Sequence, residues 1–518
     1  PYFLRDYTGG TSPRDFEHLY RSRFATTLSW ANRWNKPFLI IGDVFWGQAE
    51  GGKKKPTPES IKWFYEIAMT QPNCVGLGWF LYGILDNHEG LRGIKEGDPA
   101  SEDLLAVVKE TGKLIIDEEP SLMGIGWRAE PMPLPEELEK RLEDAEKANA
   151  PITLGLSVQD GQFIKDGKPY YGMGVNYFDA FYRVLIDNED KSYKEGFRIL
   201  REKYNIPFAR VMFSGFWPLE NELYFKDKAK YFKLMDELVA EAEKQELGLI
   251  PSLFWFIGLV PDMVGEHMDA YADPDSKTHR HMKTYIREVV GRYKDSPAIW
   301  AWELGNEWML NADIPNEKDG RVMLAPEEGS PETRDPVKDW VESNNLRVAY
   351  QMFADEVRRI DPTRMISYGD ALTRKCSYNL LYNDSFDADT REQWMKMFKR
   401  DNVGADCESV HIYPFQDKTY FPDKAPIEET IRLCNSSGKP LFIGEFGAPV
   451  KLGAKEARFF YDRLIKVIID DRVPLSALWV FDFDKQEGKW NVTHDNDRAY
   501  MLDAIIEVNK QFKELGLQ

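Results

Sequence analysis

The stretch Ile299-Trp300-Ala301-Trp302-Glu303-Leu304-Gly305-Asn306-Glu307-Trp308 is a short apolar run closed by a glycine, an amide and a carboxylate. A run that is apolar on both faces is the mark of a buried parallel strand, since a half-exposed antiparallel strand alternates. Working outward, the pattern recurs at 170–176, 207–213, 249–255, 365–368, 409–413, 441–446 and 477–481. Amphipathic segments of helical length separate these runs, at 193–204, 229–245, 278–293, 341–360, 391–400, 427–433 and 455–470, and one at 499–515 closes the series. Several end at Gly, Asp-Pro or Ser-Pro, as at Asp361-Pro362 and Ser296-Pro297. Eight strands alternating with eight helices predict an α/β chain folded as a (β/α)₈ TIM barrel over 156–518. A doubly wound open sheet is the alternative. It calls for a glycine-rich phosphate turn, and Gly172-Met173-Gly174 lacks the third glycine.

A hairpin at 157–171, with Gly161 and Asp166-Gly167 at its turns, is expected to feed the first strand and plug the barrel floor. Residues 126–155 read as a linker rich in Pro, Glu and Lys. Residues 1–125 read as a partial, degenerate, non-catalytic barrel-like segment. Lys36-Pro37-Phe38-Leu39-Ile40-Ile41-Gly42-Asp43 parallels Lys439-Pro440-Leu441-Phe442-Ile443-Gly444-Glu445 with one extra residue, and Asp43 stands where Glu445 stands. A quarter of a barrel has open sheet edges, so it must dock on something, and a homo-oligomer contact is one outcome.

The chain has 518 residues and a formal net charge of −19, which argues against nucleic acid and anionic membranes as partners. Its four cysteines lack metal-type spacing. No three-ligand zinc pattern occurs, so no metal or other cofactor is expected, although Asp313 and 384–389 have calcium-type chemistry. Three sequons, at Asn383, Asn435 and Asn491, match glycosylation acceptors.

Barrel enzymes carry their chemistry at the C-terminal ends of the strands. The residues expected there are Asn176, Arg210, Asn306, Glu307, His411, Tyr413, Glu445 and Trp479. Two carboxyls on different strands, Glu307 and Glu445, suit glycosidic bond cleavage, which needs an acid and a nucleophile. Taken singly, each of these residues has a plainer structural explanation, as a cap, a core histidine or a salt bridge. Together they form a set that a plain core would not require.

Trp302-Glu303-Leu304-Gly305-Asn306-Glu307 together with Ile443-Gly444-Glu445-Phe446-Gly447 resembles the retaining glycoside hydrolases of clan A, nearest to family 5 with its β-mannanases and endoglucanases. The resemblance implies Glu307 as acid/base and Glu445 as nucleophile. It implies that Asn306 binds the sugar 2-hydroxyl and that Arg210 and Tyr413 hold Glu445 ionised. His411 would support the acid side, and Trp479 would lie under the ring. On this reading the pKa of Glu445 should be lowered by its donors. That of Glu307 should be raised by Trp308 and by the charge of Glu445. Many family 5 cellulases carry a histidine after the third strand. Pro251-Ser252-Leu253-Phe254-Trp255-Phe256 has none, which favours β-mannan or glucomannan over cellulose.

The substrate walls are expected from Tyr177, Phe178, Phe181, Tyr182, Phe216, Trp217, Trp255, Phe256 and Trp490. The Pro- and acid-rich insertion at 308–337 would narrow the cleft. The partner implied is a polysaccharide or oligosaccharide, and the location a secreted or periplasmic one, with the cytoplasm left open. A β-glucanase, an exo-acting β-glycosidase and an inactive carbohydrate-binding barrel are the alternatives.

Overall fold

The computed structural model describes residues 154–518 except 219, 315–334 and 336, together with short segments nearer the start of the chain. Those segments are the strands Phe38–Asp43, Trp46–Gly47, Cys74–Phe80 and Leu91–Arg92 and the helical residues 58, 62 and 102–110. The chain divides into two compact units, Pro1–Glu136 and Glu137–Gln518. In the first unit Phe38–Asp43 pairs in parallel with Cys74–Phe80, and Trp46–Gly47 pairs antiparallel with Leu91–Arg92. The expected linker at 126–155 lies outside the described residues apart from Leu154 and Gly155, and so does most of the insertion at 308–337.

The second unit is a (β/α)₈ barrel. Its strands are β1 (Gly172–Asn176), β2 (Phe208–Met212), β3 (Gly248–Phe254), β4 (Ala301–Gly305), β5 (Met365–Ser367), β6 (Glu408–Ile412), β7 (Leu441–Phe446) and β8 (Leu475–Leu478). All are parallel and run in the order 5-4-3-2-1-8-7-6. The remaining seam, between β5 and β6, is bridged by the Asp406 N–H to the Ile366 carbonyl (2.9 Å) and by the Ile366 N–H to Asp406 Oδ2 (2.7 Å). Every residue of these strands is buried, which explains why the runs are apolar throughout.

The strand expected at 477–481 lies at Leu475–Leu478 instead. Beyond Leu478 the backbone leaves the ladder, and Phe481 bridges to Val492 in the following loop. The helices that alternate with the strands are α1 (Ser192–Arg198), α2 (Lys228–Lys244), α3 (Lys277–Tyr293), α4 (Ser343–Ile360), α5 (Arg391–Asp401), α6 (Ile427–Asn435), α7 (Ala454–Asp470) and α8 (Tyr500–Glu514). Local chemistry sets several of their starts. Asp227 and Ser276 accept N–H bonds that open α2 and α3, and Thr390 with Gln393 forms a capping box on α5.

The hairpin Leu156–Gln159 with Gln162–Lys165 turns at Asp160-Gly161, both at positive φ (50° and 73°), the geometry of a tight Asp-Gly turn. It sits under the barrel, with the Leu156 N–H bonded to the Trp300 carbonyl at 2.8 Å. Leu156 and Phe163 pack with Phe208, Ile250, Met365, Phe442 and Leu475 to close the floor. Among the described residues no helix is long and apolar enough to cross a membrane.

Candidate active site

β4 ends in a turn that is fixed from both sides. The Asn306 N–H bonds the Trp255 carbonyl (2.9 Å) and the Glu307 N–H bonds the Gly369 carbonyl (3.0 Å). Glu307 itself lies in the left-handed region (φ 55°, ψ 32°), a conformation that a glutamate adopts only when its surroundings impose it. Two residues on, the Met309 N–H bonds Asp370 Oδ1 (3.0 Å). The neighbouring strands thus aim the Glu307 carboxyl, where strand propensity alone would not.

β7 is irregular at the corresponding place. Val410 faces Ile443 but His411 faces Glu445, so Gly444 is an extra residue in the ladder. Such a bulge re-aims the side chain that follows it. A Cβ on Gly444 would lie 3.0 Å from His411 Nε2, so the glycine also makes room for the imidazole.

The site converges on Arg210, which is fully buried. Its Nη1 donates to Glu445 Oε1 (2.8 Å) and to Asn176 Oδ1 (3.1 Å). Its Nε donates to Glu303 Oε1 (2.6 Å), and its Nη2 donates to Asn306 Oδ1 (2.9 Å). Asn176 Nδ2 donates onward to the Gly444 carbonyl (2.9 Å). The Tyr413 hydroxyl donates to Glu445 Oε2, and burial with the adjacent carboxylate keeps that phenol protonated. His411 Nδ1 lies 2.8 Å from Glu307 Oε1 and 3.5 Å from Glu445 Oε2. Burial holds the imidazole down at about 3, so it is neutral. We assign the proton to Nδ1, because buried Nε2 has no partner among the described residues and an orphaned N–H costs more than an orphaned lone pair.

One carboxylate oxygen of Glu307, one of Glu445 and one His411 nitrogen all lie within 4.8 Å of one another. This is closer than the roughly 6.5–9.5 Å that an inverting pair needs to hold a water between them. The same three groups have the composition of a metal-ligand set, but the Arg210 guanidinium already supplies positive charge to Glu445.

Burial raises the Glu307 carboxyl to about 7, opposed by Arg210, although 30% of its side-chain surface faces the cleft. Burial was one of the two expected causes, and the repulsion between the two carboxyls falls on Glu445 instead. Trp308 turns inward, donating to the Phe254 carbonyl (3.2 Å). Glu445 also departs from expectation. Burial pushes it up from the ordinary carboxylate value, Glu307 adds to the rise, and His411, Arg210 and Tyr413 pull it back. The donors offset desolvation without reversing it.

The cleft, of about 1000 Å³, is lined by Asn306, Glu307, Tyr413, Glu445, Trp255, Trp479 and Trp490 among others. Trp479 is held by its Nε1–H to Gln486 Oε1 (3.0 Å) and stacks near Trp255 (6.1 Å). Trp490 packs on Tyr413 (4.9 Å), and the Trp255 ring lies 4.7 Å from the Arg210 guanidinium. Of the aromatics after β1, Phe178 and Tyr182 line the cleft. Tyr177 and Phe181 are fully buried, with Tyr177 donating to Asp482. Asn491 is also buried, its Oδ1 accepting from the Phe483 N–H, so that sequon is structural. Asp389 caps the helix Ser377–Asn383 through the N–H groups of Tyr378 and Asn379, and Asp313 accepts from the Ser343 N–H.

Sequence reasoning missed Glu303, Asp370 and Gln416. Glu303 shares Arg210, and Gln416 links the Tyr413 N–H (2.7 Å) to the His411 carbonyl (3.2 Å). A charged residue inside an otherwise apolar strand was the available signal for Glu303.

The fold is a (β/α)₈ barrel whose mouth holds two facing carboxyls. The chain belongs to glycosyl hydrolase family 5, whose cellulase model matches residues 210–469. It is 24% identical over 273 residues to mannan endo-1,4-β-mannosidase 7 of Oryza sativa subsp. japonica, covering 46% of this chain and 62% of that protein. It is 26% identical over 317 residues to mannan endo-1,4-β-mannosidase A of Podospora anserina, covering 56% and 73%. The chain thus spans about three fifths of the rice relative. Among solved structures, the endo-1,4-β-mannanase of Rhizomucor miehei aligns over 70% of this chain and 100% of that one, at 16% identity and a TM-score of 0.49.

Proposed function

We propose that this protein is a retaining β-glycoside hydrolase acting on a β-linked plant-type polysaccharide or its oligosaccharides, with β-mannan or glucomannan as substrate. The observation that carries this reading is the Glu307–Glu445 pair at the mouth of the barrel, its oxygens within 4.8 Å. The closed floor leaves a substrate only that mouth. Glu307, with a pKa of about 7, can hold a proton near neutrality and give it to the departing glycosidic oxygen. Glu445 attacks the anomeric carbon, aimed by Arg210 and the Tyr413 hydroxyl. Forming the glycosyl ester removes the Glu445 charge, so Glu307 loses its proton more readily and can activate water for the second displacement.

Asn306 accepts from Arg210 through Oδ1, and its Nδ2 has no partner among the described residues. That leaves a donor for the sugar 2-hydroxyl. Trp479 offers a flat face beneath the ring. Mannan is supported by the names of the relatives and by the missing histidine after β3. Action on a polysaccharide would place the protein outside the cytoplasm.

The test is hydrolysis of mannan, glucomannan, carboxymethyl cellulose and aryl β-mannoside, β-glucoside and β-galactoside, with Glu307→Ala as control. Activity on mannan or the mannoside that is lost in the variant is the expected result. Activity on the glucan substrates alone would move the reading to a β-glucanase. Silence on all six would favour a binding barrel.

A further inference from the structure

The cleft has an unusual charge balance. The chain carries 86 acidic against 67 basic residues, yet among the described residues the only carboxylates lining its cleft are Glu307 and Glu445. The other charged lining residues among those described are cations: Arg374, Lys375 and Lys485. Lys485 is engaged by the Tyr182 hydroxyl (2.9 Å). Arg374 and Lys375 differ, because neither forms an ion pair among the described residues. Arg374 is anchored by Nη2 to the Leu310 carbonyl, and its buried Nε has no hydrogen-bond partner among the described residues. Lys375 is exposed beside it. Arg374 lines the cleft only part-buried, so its guanidinium charge, which no carboxylate among the described residues answers, is open to an anion there.

Their position gives the side of the cleft. Leu310 is in the turn Trp308–Asn311 that directly follows Glu307. The group that protonates the glycosidic oxygen faces the leaving unit, so Arg374 and Lys375 border the space into which that unit extends.

We propose that the cleft accepts a β-glycoside whose leaving unit carries a carboxylate, which Arg374 and Lys375 bind. This rests on the hydrolase reading above and narrows its substrate class. The carboxylate can belong to an acidic sugar or to a hydroxy-acid aglycone, since the chemistry recognised is the same.

The test compares 4-carboxyphenyl with 4-carbamoylphenyl β-mannoside, and the matching β-glucosides, in the full-length protein and in Lys375→Glu, Arg374→Gln and Lys375→Arg. Aglycone electronics cancel when the carboxylate-to-carboxamide ratio of kcat/KM is compared between proteins. The ratio is expected to fall roughly tenfold or more in Lys375→Glu and Arg374→Gln, chiefly through KM, and to be kept in Lys375→Arg. In the parent protein it should decline as salt rises from low to high ionic strength. A β-mannosyl-glucuronic acid and a β-mannosyl glycerate then separate the two sources by which is cleaved at lower concentration. Turnover of both aryl glycosides with one ratio in all four proteins would overturn this proposal alone. No turnover of either by the folded parent would overturn this proposal, and the hydrolase reading falls with it if mannan and glucomannan are also left intact.

Discussion

Glu307 links the chemistry of the site to its pH dependence. Its carboxyl is raised to about 7 in the folded chain, against roughly 4.3 when unfolded. Activity that needs Glu307 protonated should therefore fall as pH rises through about 7, and a pH profile of kcat/KM reads this limb directly. The same shift has a stability consequence. The folded state keeps a proton that the unfolded state has lost, so this contribution is fully present below about pH 4.3 and is lost as pH rises through 7. Glu307→Gln should accordingly gain about 1–2 kcal/mol more over the parent at pH 8 than at pH 4, a figure reduced for the solvent that reaches the side chain. Urea unfolding at the two pH values measures it, and an equal effect at both would refute the assigned shift. Arg210 makes a separate prediction. Its guanidinium answers two buried carboxylates, Glu303 and Glu445. Arg210→Met should cost about 3–5 kcal/mol and abolish turnover, because both charges would be left without their cation. Arg210, Glu307 and Glu445 were legible in the chain, and Glu303 was not. The net upward shift of Glu445 was not, because it depends on how completely folding removes water, which no motif reports.

At the scale of elements, precision comes from contacts between strands. The turn after β4 is pinned by carbonyls at Trp255 and Gly369, and Gly369 is itself in the left-handed region (φ 70°). A Cβ there would lie 2.1 Å from the Gly305 carbonyl oxygen and 2.7 Å from Glu303 Cδ. Gly369→Ala should therefore destabilise the barrel by about 2–4 kcal/mol and lower kcat together with stability, since the Glu307 N–H bonds this residue's carbonyl. A melting temperature unchanged within a degree would contradict that. Strand identity was readable from apolar runs such as 441–446, and helix ends from punctuation such as Asp361-Pro362. The bulge at Gly444 and the early end of β8 were not readable. Both are set by register against a neighbouring strand, which leaves no period in the strand's own sequence. The core-facing orientation of Tyr177 and Phe181 was hidden for a similar reason: a loop residue's direction follows from tertiary packing.

At the scale of the molecule, the barrel unit 137–518 contains the hairpin floor, the full set of strands and every group assigned to the site. We infer that the first unit is a non-catalytic relative of the last strands of the barrel, because 36–43 repeats the pattern of 439–445 with Asp43 at the glutamate position. Residues 137–518 alone are then expected to keep kcat within about twofold on a soluble aryl glycoside, the catalytic step being made wholly within one barrel. A loss of tenfold or more would mean that the first unit completes the site. The central claim is double displacement by Glu307 and Glu445. Its most direct test is the anomer of the first product, followed by proton NMR during hydrolysis of a β-mannoside or β-manno-oligosaccharide. The geometry predicts that the β-anomer forms first and then mutarotates, with no product from Glu445→Gln. First appearance of the α-anomer, or undiminished turnover by Glu445→Gln, would contradict it.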